Sequence, residues 1–335
     1  MITIKDIAKS AGVSHTTVSR ALRGDTRIPP HTTARIVQLA DEMGYVPNSI
    51  AQSLSGQPKL TIGMLVTSIA DPVVMDFVEG AEGVAQDRGY SIFISTSRND
   101  AQREQDVIET FRRRRVDGVI VVASRTGIKY TFAQALDQIQ VPVVLLDSEE
   151  LDSDRPSVDV DNIGGASLAV QHLLELGHQR IGYIGATNRP LTNIKRQLGS
   201  TQALEGAGIS SDSAWIINPA TDDDIKRGHI GAEHCLRVGV TAIFCYNDQT
   251  AIGAINACYS KGISVPKQLS IVGYDDIRAA SYITPPLTTV RQPLQMMGKR
   301  GVEILLALIN KEPTQSEQLD CKLVVRKSTA FVVRP

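Results

Sequence analysis

The chain has 335 residues, 42% hydrophobic and 21% charged. This ordinary globular composition excludes a disordered or collagen-like polymer and leaves room for roughly two domains of about 150 residues. Lys and Arg number 35 against 36 Asp and Glu, a net charge of −1, so a uniformly basic nucleic-acid-binding coat is excluded as well. The charge is unevenly spread, however. Residues 1–59 carry seven basic side chains and four acidic ones, which points to a polyanion-binding module on a near-neutral body.

Thr3-Ile4-Lys5-Asp6 predicts a capped helix start, with Ile4, Ile7, Ala8 and Ala11 at helical spacing and Gly12 as the stop. Ser14 caps a second helix from His15 to about Arg23, and Pro29-Pro30 opens a third that ends at Gly44. Two short helices joined by a tight glycine-containing turn form a helix-turn-helix, whose second helix has the length to enter a DNA major groove. Val13, Val18 and Leu22 can pack inward while His15, Thr16 and Arg20 project outward, and Arg on guanine is the commonest specific base contact. Ser14, Thr17 and Ser19 can reach phosphate oxygens.

Thr3-Ile4-Lys5-Asp6-Ile7-Ala8, Ala11-Gly12-Val13-Ser14, Thr17-Val18-Ser19-Arg20-Ala21-Leu22, Gly44-Tyr45-Val46-Pro47-Asn48 and Ala51-Gln52-Ser53-Leu54 follow one another in order and in register. This stretch resembles the headpiece of the LacI/GalR transcriptional regulators. The resemblance implies DNA contacts from Thr3, Ser14, His15, Thr16, Thr17, Ser19 and Arg20. It also implies a hinge helix from Asn48 to Leu54 that folds when two chains meet over the operator centre. There Asn48 and Ser53 would touch DNA and Leu54 would wedge into the minor groove. Gln52 stands where many members carry Arg. Residues 1–47 are thus expected to form the DNA-binding domain and 48–59 the hinge helix and a polar linker.

From Leu60 short apolar runs alternate with amphipathic stretches. Strands are predicted at Thr61–Val66, Ser91–Ile94, Gly118–Val122, Pro142–Leu146, Arg180–Ile184, Ala242–Cys245 and Leu269–Val272, with helical periodicity at Val78–Gln86, Gln102–Arg113, Gly165–Glu175 and Thr250–Tyr259. The expected fold is α/β: a small all-α helix-turn-helix headpiece followed by a two-lobed core of doubly wound parallel sheets. The core resembles the periplasmic-binding-protein fold that the regulator family shares. One lobe would take about 60–160 and 291–320, the other about 161–290 and 321–335.

Ligands of such sheets bind beyond the carboxyl ends of the strands. Ser68, Asp71-Pro72-Val73, Asp147-Ser148, Asn188-Arg189, Tyr246-Asn247-Asp248 and Tyr274-Asp275-Asp276 all follow strands. The family resemblance implies effector contacts at Asp147, Asn247 and Asp275, with Arg196 from the helix after Thr192-Asn193; Asp71 and Val73 complete the expected set. Carboxylates and amides share several hydroxyl hydrogen bonds, and Arg offers a planar donor fork, so the set suits a polyol. A nucleobase would want aromatic rings after the first strand, where Val73 and Val74 stand. A sugar or sugar acid is therefore favoured, with Arg189 and Lys195 leaving a carboxylate or phosphate open.

Other features carry less. The run Arg112–Arg115 reads as a helix end complementing the helix dipole, Asp222-Asp223-Asp224 as a solvated loop, and Trp215 as a core anchor. The four cysteines (Cys235, Cys245, Cys258, Cys321) contain no C-x-x-C pair and read as reduced thiols. No H-E-x-x-H, P-loop or G-x-S-x-G is present, so neither a metal nor another cofactor is expected, and no catalysis. With no secretory leader and no run of about 18 apolar residues, the chain reads as cytoplasmic, with no membrane partner. A terminal leucine heptad is lacking, which favours a homodimer on a pseudo-palindromic operator. Two rivals share the core: a solute-binding protein, which would ignore DNA, and a sugar-processing enzyme, which would need a catalytic set that the sequence does not supply. Whether the effector induces or co-represses stays open.

Overall fold

The computed structural model describes residues 2–22, 24–45, 60–122, 135–147, 154–187 and 190–332. The chain divides into two compact units, 1–59 and 60–335.

The first unit holds helices α1 (Ile4–Ala11), α2 (His15–Ala21) and α3 (Pro30–Glu42). A capping box opens α1: the Asp6 N–H donates to Thr3 Oγ1 at 3.4 Å, and the Thr3 N–H donates to Asp6 Oδ2 at 2.8 Å. Two otherwise orphaned donors are satisfied, and the same bonds hold the Asp6 carboxyl below its usual range. Gly12 ends α1 at φ 65°, a left-handed conformation that a Cβ disfavours. Ser14 caps α2 by accepting from the Thr17 N–H at 3.1 Å. Arg35 of α3 donates to the Ala11 carbonyl at 2.8 Å, clamping the turn against the third helix. Ile7, Ala8, Ala11, Val18, Ala21, Ile36 and Ala40 form the core between them.

The second unit contains β1 (Thr61–Val66), α4 (Pro72–Asp87), β2 (Ser91–Thr96), α5 (Ala101–Arg114), β3 (Gly118–Val122), β4 (Val143–Leu146), β5 (Ser157–Val160) and α6 (Asn162–Glu175). There follow β6 (Ile181–Ile184), α7 (Pro190–Gly206), β7 (Ile216–Ile217), α8 (Asp224–Arg237), β8 (Ala242–Cys245), α9 (Asp248–Ser260) and β9 (Ser270–Asp275). The chain then runs through β10 (Thr288–Arg291), α10 (Leu294–Ile309), β11 (Glu317–Leu319) and β12 (Lys322–Val324).

These strands make two six-stranded sheets, ordered β11-β5-β4-β3-β1-β2 and β12-β10-β9-β8-β6-β7. The first is parallel throughout. In the second, β12 runs antiparallel to β10, a departure from wholly parallel sheets. Only residues 320–321 separate β11 from β12, so the chain enters the second sheet as a reversed edge strand, a common addition to such sheets. In both lobes the order reverses beside the first strand, at β1/β3 and at β6/β8, which places a switch point in each. The chain crosses between lobes three times: from β5 to α6, from β10 to α10, and from β11 to β12.

The Arg112–Arg115 run ends α5 as the dipole argument expects. Glu109 takes Arg112 and Arg113 at 2.6 and 2.9 Å, Arg114 lies 4.5 Å over the Phe93 ring, and Arg115 is the cap at φ 54°. Trp215 is half-buried at the edge of the second-lobe core. No helix among the described residues is long and apolar enough to cross a membrane.

Candidate functional site

On the headpiece, Val18 and Ala21 turn inward, and the geometry of α2 then leaves His15, Thr16 and Arg20 exposed on its other side. Arg20 lies 3.9 Å from Asp25, but that carboxylate is held more closely by Arg27 at 2.6 Å. Thr3 is exposed at the start of α1. The Ser14 and Thr17 hydroxyls lie 2.8 Å apart and so serve the cap in this arrangement. Ser19 is half-buried. Asn48, Ser53 and Leu54 lie outside the described residues.

In the second unit, Asp71, Val73, Asp147, Arg196, Asn247 and Asp275 all line one cleft between the lobes, with about 40 Å³ of free volume. Each arrives for a local reason. Asp71 caps α4, accepting from the Val73 N–H at 3.1 Å. Asp147 follows β4 at φ 50°. Asn247 caps α9 by accepting from the Thr250 N–H at 2.8 Å, and its amide nitrogen donates to Asp224 at 2.8 Å. Asp275 ends β9 at φ 112°, a conformation costly for any residue with a Cβ, and accepts from Gln292 Nε2 at 2.7 Å.

Arg196 sits in the second turn of α7 and is almost fully buried. Nε donates to Asn162 Oδ1 at 2.9 Å and Nη1 to the Tyr246 carbonyl at 2.6 Å. Its guanidinium lies 3.7 Å from the Tyr274 ring centroid and 4.8 Å from that of Tyr246, and 3.8 Å from Asp275. Burial pushes the Asp275 carboxyl up to about 7; Arg196 and Gln292 pull it down, while Asp71 and Asp147 raise it further.

Two residues named on strand-end position alone prove structural. Asp248 is fully buried, accepting from the Ile277 N–H at 2.8 Å and the Thr289 hydroxyl at 2.5 Å, so it braces the loop that carries Asp275. Asp276 is paired with Arg291 and Arg326, each at 2.6 Å. Ser148, Asn188 and Arg189 lie outside the described residues. Lys195 is half-buried and does not line the cleft.

Sequence reasoning missed Asp224 and Gln292, both on the cleft wall. The acidic triplet is not a solvated loop as a whole. Asp222 and Asp223 are exposed and Asp223 caps α8, accepting from the Lys226 N–H at 3.0 Å. Asp224, the first helical residue, is buried. The capping role of Asp223 was the available signal, since it fixes the helix start and turns the next side chain inward. Gln292 follows β10, whose polar Thr288-Thr289 opening hides it as a strand.

The description "Bacterial regulatory proteins, lacI family" matches residues 3–48, and "Periplasmic binding protein-like domain" matches residues 170–329. The chain is 33% identical over 335 residues to the HTH-type transcriptional repressor PurR of Aliivibrio salmonicida, covering 98% of this chain and 99% of that one. Among solved structures, the lac repressor dimer bound to operator and the anti-inducer ONPF superposes with a TM-score of 0.86 at 28% identity, covering 98% of this chain and 99% of that one. The CelR–cellobiose complex gives 0.74 at 28% identity, covering 98% and 100%. A headpiece with an exposed recognition face, an interlobe cleft and full-length likeness converge: the chain belongs to the lacI family of bacterial regulatory proteins, and is a DNA-binding transcriptional repressor under small-molecule control rather than an enzyme.

Proposed function

We infer that the chain is a cytoplasmic, homodimeric repressor whose effector is a sugar held between the lobes by Asp71, Asp147, Arg196, Asn247 and Asp275, with Val73 against its apolar face. Two headpieces paired by the dimer read a pseudo-palindromic operator. His15, Thr16 and Arg20 contact bases, Thr3, Ser14, Thr17 and Ser19 contact phosphates, and Asn48, Ser53 and Leu54 form the hinge. Effector binding alters the angle between the lobes and so the ordering of that hinge. Coupling of about 1–3 kcal/mol is enough to change operator occupancy.

One observation carries the choice of a sugar. Ten of the fifteen described lining residues carry hydrogen-bonding side chains, against Pro72, Val73, Val74, Phe77 and Ile277, and the cleft's arginine is already stacked on the two nearby tyrosine rings. A flat base gains most from stacking on aromatic rings, and among the described lining residues Phe77 is the one phenyl ring, with Val73 and Val74 on the same wall. A polyol needs acceptors and donors around its rim, which this cleft supplies. The CelR–cellobiose complex shows a fold of this kind with a disaccharide bound.

Thermal-shift titration of the full chain with neutral sugars and with purine bases tests this reading. Stabilisation by a sugar, together with a changed operator affinity in a gel shift, is the expected result. Stabilisation by a purine base alone overturns it.

A further inference from the structure

The cleft wall carries a carboxylate, Asp224, that the expected ligand set does not use, with an arginine buried behind it. Asp224 accepts from Asn247 Nδ2 at 2.8 Å and is paired with Arg227 one helical turn on. Arg227 is fully buried and donates from Nη2 to the Thr221 carbonyl at 2.5 Å. Complete burial of an arginine is expensive, and an apolar side chain of similar volume fills such a space at lower cost. What the pair accomplishes that an apolar residue cannot is to hold a carboxylate on the cleft wall. A carboxylate has about four lone-pair sites, of which these two partners occupy two.

A second observation comes from another residue of the same cleft. Gln292 is buried, and its amide nitrogen is committed to Asp275. Its Oε1 is buried without a hydrogen-bond partner, on a residue that lines the same cleft. Buried acceptors are seldom left unpaired, and a ligand hydroxyl would complete this one.

The charges agree with that assignment. Among the described residues, four carboxyl groups (Asp71, Asp147, Asp224 and Asp275) and one guanidinium, Arg196, line the cleft, and Arg196 already donates to Asn162 and to the Tyr246 carbonyl. A carboxylate or phosphate entering here would meet like charges at short range in a poorly screened site. A donor-rich uncharged ligand would not. We propose that Asp224, positioned by Arg227, is a specificity-determining ligand contact, and that with Gln292 it restricts the effector to an uncharged polyhydroxy compound, excluding sugar acids and sugar phosphates.

The proposal rests on the cleft being the effector site, and the test separates the two. The full chain, D224N and D224E are titrated calorimetrically with D-galactose, D-ribose, cellobiose, D-galacturonate, glucose 6-phosphate and adenine. Operator affinity in the absence of these compounds serves as the folding control. At least one neutral sugar should bind the parent protein, and the two anions should bind at least tenfold more weakly. D224E keeps the charge but displaces the carboxylate, and it should lose at least tenfold in affinity for that sugar, as should D224N.

Folded variants that bind the sugar within twofold of the parent overturn the role of Asp224. Tighter binding of galacturonate or glucose 6-phosphate than of any neutral sugar overturns the exclusion of anions, and that result needs no variant. Binding of adenine alone overturns the sugar reading and the polyhydroxy restriction with it, while the adenine affinity of D224E still judges the contact. No binding by any of the six overturns both readings.

Discussion

Asp275 concentrates the chemistry of the cleft in one side chain. Its carboxyl titrates from an ordinary 3.8 up to about 7, chiefly because it is buried. Between those values the folded chain holds a proton that the unfolded chain releases. This group's contribution to stability therefore falls as pH rises through that window and levels off above about 7. Ligand hydroxyls donate to the ionised form, so effector affinity should move the opposite way and climb about tenfold from pH 6 to pH 8. Arg196, Asp71, Asp147 and Asp248 all act on Asp275 or are acted on by it, so D275N is the control: its affinity should be lower and flat with pH in calorimetry. On the headpiece, Arg20→Ala should cost about 1–3 kcal/mol of operator binding and relax discrimination at one base pair. Gel shifts against singly substituted operators check this, and a uniform loss across all sequences would make Arg20 a phosphate contact instead. The strand-end positions of Asp147, Asn247 and Asp275 were legible because strands end in apolar runs and the polar residue that follows stands out, but it was the family resemblance that singled these three out from neighbours such as Asp248 and Asp276. Asp224 and Gln292 were not legible, since one hides in an acidic triplet and the other follows a strand with a polar start.

At the scale of elements, the apolar interior strands were read best: β1, β3 and β8 have the bounds that their largely apolar runs predict, and α1 follows its capping box. The strands left unread are short or polar. β7 has two residues, and β11 and β12 have three each, partly exposed at the sheet edges, so burial writes little pattern into them. Helix contacts were also invisible in periodicity. In the first lobe α4 and α10 cross so closely that a Cβ on Gly80 would lie 1.9 Å from the Gln295 carbonyl oxygen, and one on Gly298 would lie 2.1 Å from that of Phe77. Neither obstacle is a flexible side-chain end, so the helices must move apart to admit a methyl group. Gly298→Ala should cost at least about 1–3 kcal/mol by overpacking, read as a lowered denaturation midpoint. Gly83 on α4 has open space around it; Gly83→Ala should leave stability unchanged or raised, which separates crowding from helix propensity.

For the molecule as a whole, the lobes of the core are joined covalently by three crossings, and their relative angle is the variable that an effector can bias. Their sheets have the same strand order, so each offers its switch point to the shared cleft. Beyond the crossings, Arg278 of the second lobe reaches Glu79 of α4 at 2.9 Å, with Asp76 at 3.9 Å. Gln295 at the start of α10 donates to the same Glu79 oxygen at 3.2 Å. The Arg278–Glu79 pair joins the two lobes at their present angle, and that angle brings groups from both lobes to one cleft. Breaking it should favour other angles and weaken effector binding. The partners are largely exposed, with side-chain accessibilities of 73% and 55%, so such a pair contributes up to about 1 kcal/mol, or roughly fivefold in affinity. Arg278→Ala should therefore reduce effector affinity by a few-fold at low salt. The difference from the parent should shrink as ionic strength rises, because exposed charges are screened. Unliganded operator affinity would shift in the same variant if this lobe angle is also the one that sets the headpieces. Calorimetry at two salt concentrations, alongside gel shifts without effector, reads both effects. Equal affinities for parent and variant at low salt would mean that the three crossings alone fix the angle between the lobes.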